Sequence, residues 1–149
     1  MSPEQRRSIL KFGGTMLMAL GILHLAMTPL ISNLITENVT EAVAIWLTPP
    51  MLLNHVVVGI LLLPLGFLTF YSSALAAAGE RWALVVVRSS AISVGVLPIA
   101  LFTLMGTRYF RAIPFVVATS IVSLAALALL AAAFWPTKSP VDQPGRPLQ

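Results

Sequence analysis

Hydrophobic residues in this chain occur in four long runs instead of alternating with polar ones. Residues 51–73, MLLNHVVVGILLLPLGFLTFYSS, lie within a charge-free stretch from Ala42 to Gly79. About 20 apolar residues in a helix cross the hydrocarbon core of a bilayer. The pattern therefore predicts a membrane-spanning helix over residues 51–73. Similar runs predict three more spans, at about residues 8–30, 81–105 and 113–135.

The connection between the first two runs is mixed in character. Asn38–Glu41 has the form of a helix capping box, and apolar residues follow it at helical spacing as far as Leu47. Pro29 lies before this segment and Pro49-Pro50 follows it, and the residue before a proline avoids the helical region. We therefore expect a short amphipathic helix, about residues 38–47, that lies on the membrane surface between the two spans.

Composition excludes a water-soluble fold. The 149 residues are 58% hydrophobic and only 9% charged, whereas soluble domains carry roughly 25% charged residues. Continuous apolar runs also differ from the alternating strands of a transmembrane β-barrel. The predicted fold class is all-α integral membrane: a four-helix transmembrane bundle with a short amphipathic interfacial helix between spans 1 and 2. A single domain covers residues 1–135, and the proline-rich tail, residues 136–149, is predicted to be disordered.

Charges at the span ends predict the orientation. Arg6, Arg7 and Lys11 precede the first span, and basic flanks stay in the cytoplasm. The stretch QRRSILK also resembles a twin-arginine export signal, but no small-residue cleavage site follows it. Four spans then place both termini in the cytoplasm.

The net charge of +4 comes from basic residues scattered near span ends, which indicates lipid headgroups as partners and not nucleic acid. Arg108, Tyr109 and Arg111 are candidates for clamping an anionic lipid headgroup, and the plainer interpretation is an interfacial basic and aromatic belt. The chain has no cysteine, which excludes disulfides, thiolate metal sites and cysteine nucleophiles. The predicted spans contain no Asp or Glu, which argues against a small proton-coupled drug exporter.

His24 and His55 are the ionisable side chains predicted to lie within the hydrocarbon, where such groups are candidates for function. His24 is five residues before Pro29, and His55 is five after Pro50. If both prolines mark the same interface, the two rings share a depth of roughly 7 Å below it. We therefore expect the two rings to approach each other.

Sulfur accompanies both histidines. Met27 is three residues after His24 and Met51 is four before His55, so each methionine shares a helical face with its histidine. Two imidazoles and two thioethers suit Cu(I), and two imidazoles alone can ligate a haem iron. The alternatives are structural hydrogen bonding, for example to a backbone carbonyl or to Thr28 or Asn54, and contact with a quinone, a lipid or a proton.

The sequence contains no Gly-rich phosphate loop, no H-E-x-x-H and no G-x-S-x-G. These features favour a non-catalytic membrane protein, an accessory or self-associating subunit without a cofactor. Its expected partners are membrane lipids, a second copy or a larger membrane complex. The alternative is a haem- or copper-binding protein for redox or metal handling that uses His24 and His55.

Overall fold

The computed structural model describes residues 1–106 and 113–136. They form four helices: α1 (Pro3–Asn38), α2 (Glu41–Ala78), α3 (Arg81–Met105) and α4 (Ile113–Phe134). For these residues the predicted all-helical fold is confirmed. Helices α1, α2 and α3 are long and apolar enough to cross a membrane, and α4 contains a shorter apolar stretch, Thr119–Phe134. The predicted contacts of Arg108, Tyr109 and Arg111 and the predicted disorder of the tail from residue 137 lie outside the described residues.

Residues 38–47 do not form a helix of their own, so the prediction of a separate interfacial helix is wrong. Helix α1 continues through Pro29, and α2 begins at Glu41 and passes through Pro49 and Pro50. A proline inside a helix costs about 3 kcal/mol, because one backbone hydrogen bond is lost. Away from water, unwinding the helix would leave several more backbone groups without partners. In such surroundings a continuous helix has the smaller cost.

The chain reverses direction between α1 and α2. The carbonyl of Thr40 accepts from the amides of Val43 and Ala44, at 2.9 Å each, and so begins α2. The Asn38 side chain donates instead to the carbonyl of Leu34 at 2.8 Å, within α1. The predicted capping segment does hold a helix start, but the capping residue is Thr40 and not Asn38.

Residues 14–68 form one of two compact units, an antiparallel hairpin of α1 and α2. A Cβ placed on Gly66 would lie 2.6 Å from the carbonyl oxygen of Gly14 and 2.7 Å from the amide nitrogen of Met18. A Cβ on Gly59 would lie 3.1 Å from the carbonyl oxygen of Gly21. In each helix the two glycines are about two turns apart, so the backbones meet along one seam. Small residues serve the same purpose in membrane helix pairs generally.

The other compact unit combines residues 1–13 with the described residues from Thr69 onward, and within it α3 and α4 pack along each other. Most of its buried side chains are small. They are Thr69, Ser72, Ser73, Ala76, Ala77, Ala83, Ser90, Ala91, Ala126, Ala132 and Ala133. Small side chains allow these helices to approach closely around a few larger buried residues, Leu10, Val87, Val94 and Leu129.

We expect Gly66→Ala to destabilise the hairpin by about 1–3 kcal/mol, because the new methyl group would meet backbone atoms that cannot rotate away. Gly95→Ala is the matched control, since its Cβ would lie 3.1 Å from Cδ1 of the flexible Leu130 side chain. Both changes give the same gain in helix propensity. Thermal unfolding in one detergent, followed by circular dichroism, compares them. Equal midpoints would contradict the close approach of the two backbones.

Candidate functional site at the histidine pair

The two histidines lie at the same level of the α1–α2 hairpin. His24 precedes the end of α1 at Asn38 by as many residues as His55 follows the start of α2 at Glu41. In an antiparallel pair with a tight turn, positions equally far from the turn are neighbours. The sequence predicted a shared depth from the prolines, whereas in the structure the shared level follows from the turn.

The rings of His24 and His55 are stacked. Their centroids are 4.6 Å apart and their planes meet at 27°. Both side chains are partly buried. The close approach of α1 and α2 at Gly21 and Gly59, about one turn away in each helix, leaves room for the two rings to face each other. The structure therefore brings the two predicted site residues together.

Hydrogen bonds identify the nitrogen that carries the proton in each neutral ring. Nδ1 of His24 lies 3.2 Å from the carbonyl oxygen of Leu20, and because a carbonyl only accepts, Nδ1 is the donor. The Thr28 hydroxyl donates to the carbonyl of His24 at 3.1 Å. Its oxygen is 3.3 Å from Nδ1 of His55, so with the hydroxyl hydrogen directed at the His24 carbonyl, the oxygen accepts from that nitrogen. In both neutral rings Nε2 therefore carries the lone pair.

This arrangement has two consequences. The Thr28 hydroxyl joins His55 of α2 to α1, so the pair links the two helices. In addition, an imidazole that donates from Nδ1 to a carbonyl or hydroxyl presents Nε2 as a ligand or base, which is how metal-ligating histidines are usually oriented. Thr28 was one of the partners that the sequence suggested; the carbonyl of Leu20 was not identifiable, because every residue carries that group.

Met27 and Met51 are exposed on the same hairpin. Since α1 and α2 are continuous through these positions, each methionine keeps the spacing that puts it on its histidine's face. Within residues 1–106 and 113–136, no three His, Cys, Asp or Glu side chains come together as a metal site. A metal ion at the pair would thus need the sulfur atoms or an outside ligand to complete its coordination.

A cavity of about 640 Å³ lies between α3 and α4. Three hydroxyl groups in its lining donate to carbonyls of their own helix: Thr103 to Ile99 at 2.8 Å, Ser120 to Val116 at 2.7 Å and Ser123 to Thr119 at 2.7 Å. The rest of its lining consists of Pro98, Ile99, Phe102, Thr119 and Leu124. Three of its four hydroxyl groups thus bond the backbone, so the histidine pair is the better candidate site.

We expect Thr28→Val to destabilise the hairpin by about 0.6 kcal/mol, the average for a hydrogen bond between membrane helices. Thr36→Val is the control, because the Thr36 hydroxyl bonds only carbonyls of its own helix, those of Ser32 and Asn33. The effect should vanish when His55 is already phenylalanine, which a double-mutant cycle of unfolding free energies measures. An unchanged cost of Thr28→Val in that background would show that the hydroxyl does not act through His55.

Compared with protein-family models, curated proteins and solved structures, the chain gives no match. Its function is therefore inferred from its own residues and contacts.

Proposed function

We propose that this chain is a multi-pass integral membrane protein in which α1, α2, α3 and α4 each cross the bilayer. The observation that carries the proposal is the distribution of side-chain size. Leu104 is 85% exposed and Ile113 is 74% exposed, while most buried positions of the same unit hold alanine, serine or threonine. Soluble proteins bury their large apolar residues. Lipid tails are as apolar as leucine, so helices in a bilayer keep large side chains outside and pack through small ones.

Helix length supports the same proposal and gives the hairpin turn a location. Helices α1 and α2 have 36 and 38 residues, hence lengths of about 54 and 57 Å. The hydrocarbon core is about 30 Å thick, and helices tilt by at most about 40°. Both helices therefore extend beyond the core, and we propose that the turn with Glu37 and Glu41 stands on the side opposite the basic N-terminal flank. Trp46, 82% exposed, then lies near headgroup level, where tryptophan is enriched.

Within the membrane we propose a non-catalytic role, as an accessory or self-associating subunit. Several hydroxyl groups are used to support helices: those of Ser73, Thr103, Ser120 and Ser123 donate to carbonyls three or four residues earlier. The large exposed side chains provide a wide apolar surface for lipid, for a second copy or for a larger membrane complex. Both observations support a protein that acts by packing its helices against lipid or against other membrane proteins.

The topology has a direct test, because the parent chain has no cysteine. We expect Glu41→Cys to react with an impermeant thiol reagent in intact cells, and Glu4→Cys and Gln143→Cys to react only after the membrane is opened. The parent chain is the blank. Labelling of Gln143→Cys in intact cells, with Glu4→Cys protected, would mean that α4 does not cross. Labelling of Glu4→Cys and Gln143→Cys in intact cells, with Glu41→Cys protected, would mean that the chain has the opposite orientation.

Metal handling is the second candidate function, and the two Nε2 lone pairs of His24 and His55 favour it. Haem iron between two histidines needs each nitrogen at roughly 2 Å, with the rings end to end across the metal. The stacked rings do not match that arrangement, so a haem would require them to rotate apart. A Cu(I) ion bound from one side, by adjacent imidazoles and the sulfur of Met27 or Met51, fits the donor set better.

Elemental analysis and an absorption spectrum of the purified protein separate the two functions. Under the accessory role we expect no stoichiometric metal, and we expect His24→Gln and His55→Gln to cost less than about 1 kcal/mol, because an amide keeps a donor and an acceptor. Stoichiometric copper in the parent chain would establish the copper site instead, if either histidine variant loses it and if Met27→Leu or Met51→Leu weakens its binding. A Soret band insensitive to the methionine changes would indicate haem.

A further inference from the structure

The carboxyl end of α4 is bound by two arginine side chains from other helices of the same compact unit. Arg6, on α1, donates from Nε to the carbonyl of Ala132 at 2.8 Å and from Nη2 to that of Ala133 at 2.9 Å. Arg88, on α3, donates from Nε to the same Ala133 oxygen at 3.3 Å. The last carbonyls of a helix have no partner within it, so both arginines cap α4.

Among the described residues, the two guanidinium groups bring more positive charge together than their partners neutralise. Because they share one oxygen atom, they lie within a few ångströms of each other, and Arg6 is only 2% exposed. The end of α4 supplies about half a negative charge. The remaining partner that the structure gives Arg88 is neutral, the ring of Phe134 at 5.1 Å. A net charge above +1 in a partly dry place favours an anion.

Arg88 has donors left for that anion. Its side chain is exposed, and within the part of the chain that the structure describes no hydrogen bond involves its Nη groups. Arg81 is exposed about two turns earlier on α3, so it shares the Arg88 face. Capping alone explains Arg6, whose donors point to two carbonyls. It does not explain why a second arginine is held against a carbonyl that Arg6 already binds.

Aromatic residues indicate the depth of this cluster. Trp82 lies in the first turn of α3 and Trp135 directly after α4, and both are about half exposed. Tryptophan side chains of membrane proteins concentrate at the level of the lipid headgroups. The exposed donors of Arg88 therefore lie where headgroup phosphates are found.

We propose that Arg88, supported by Arg6 and Arg81, binds the phosphate group of an anionic phospholipid. The guanidinium fork matches two phosphate oxygens, which gives a stronger contact than a point charge would. Basic pockets between membrane helices bind anionic headgroups by the same chemistry. Arg6 has a positioning role: it fixes the end of α4 and adds positive potential behind Arg88. The assignment of the phosphate to a lipid depends on the membrane location proposed above.

Thermal unfolding of the purified chain in a neutral detergent tests the site. The additions are phosphatidylglycerol, phosphatidylcholine and inorganic phosphate, each titrated separately. We expect phosphatidylglycerol to raise the unfolding midpoint of the parent chain well above the effect of phosphatidylcholine. We expect Arg88→Gln to weaken the apparent affinity for phosphatidylglycerol at least tenfold, and Arg88→Lys to retain part of it.

Arg7→Gln is the matched control, because Arg7 is exposed, adjacent to Arg6 in sequence and identical in charge change. If Arg7→Gln weakens the affinity for phosphatidylglycerol as much as Arg88→Gln does, the attraction is diffuse and the proposal is overturned. An undiminished affinity in Arg88→Gln would also overturn it.

If Arg88→Gln does not fold, Arg81→Gln replaces it in the experiment. We then expect a smaller loss of affinity for phosphatidylglycerol, and an unchanged affinity would overturn the proposal. An equal rise with inorganic phosphate would overturn the lipid assignment and identify a soluble phosphate ligand. Thiol labelling of the Glu41→Cys and Gln143→Cys variants reports membrane insertion separately, so the failure of one proposal is distinguishable from the failure of the other.

Discussion

In a bilayer, a backbone amide or carbonyl has no water to bind and must find its partner within the protein. In the proposed membrane location, this constraint accounts for the continuation of α1 and α2 through prolines that would end a helix in water. Each proline removes one hydrogen bond, while a break would expose several groups. Among the described residues, no buried side-chain nitrogen or oxygen lacks a hydrogen-bond partner. Hydroxyl groups such as those of Ser120 and Ser123 meet the same demand by donating to their own helix.

Once helices are continuous, their packing depends on how closely the backbones approach. Gly14 and Gly21 of α1 meet Gly66 and Gly59 of α2, and a Cβ on Gly21, Gly59 or Gly66 would lie about 3 Å or less from atoms of the facing helix. This seam sets the register of the hairpin, and the register sets which side chains face each other. The stacking of the two imidazole rings is therefore a consequence of the glycine positions and of the tight turn. Any function of the pair depends on the ring geometry that these glycines set.

The sequence predicts the helices well because long, uninterrupted apolar runs favour continuous helices. It also predicts that His24 and His55 approach each other. The prediction failed between Pro29 and Pro50, where turn rules derived for water-exposed chains were applied to helices that continue instead. The arginine cluster was not predictable for another reason. Its acceptors are the carbonyls of Ala132 and Ala133, and nothing in the identity of an alanine indicates that its carbonyl ends a helix beside two cations.

The two candidate sites differ in how strongly each requires a ligand. At the histidine pair each Nδ1 has a hydrogen-bond partner, so an unused Nε2 leaves a penalty of about 1–3 kcal/mol. At the end of α4, two cations share one carbonyl oxygen, and the cost of removing an ion from water is several kcal/mol. Carbonyl dipoles and an aromatic ring offset part of that cost, and an anion offsets more. The histidine pair thus requires a ligand less than the arginine cluster does, which is consistent with the proposal that a headgroup phosphate binds at the cluster.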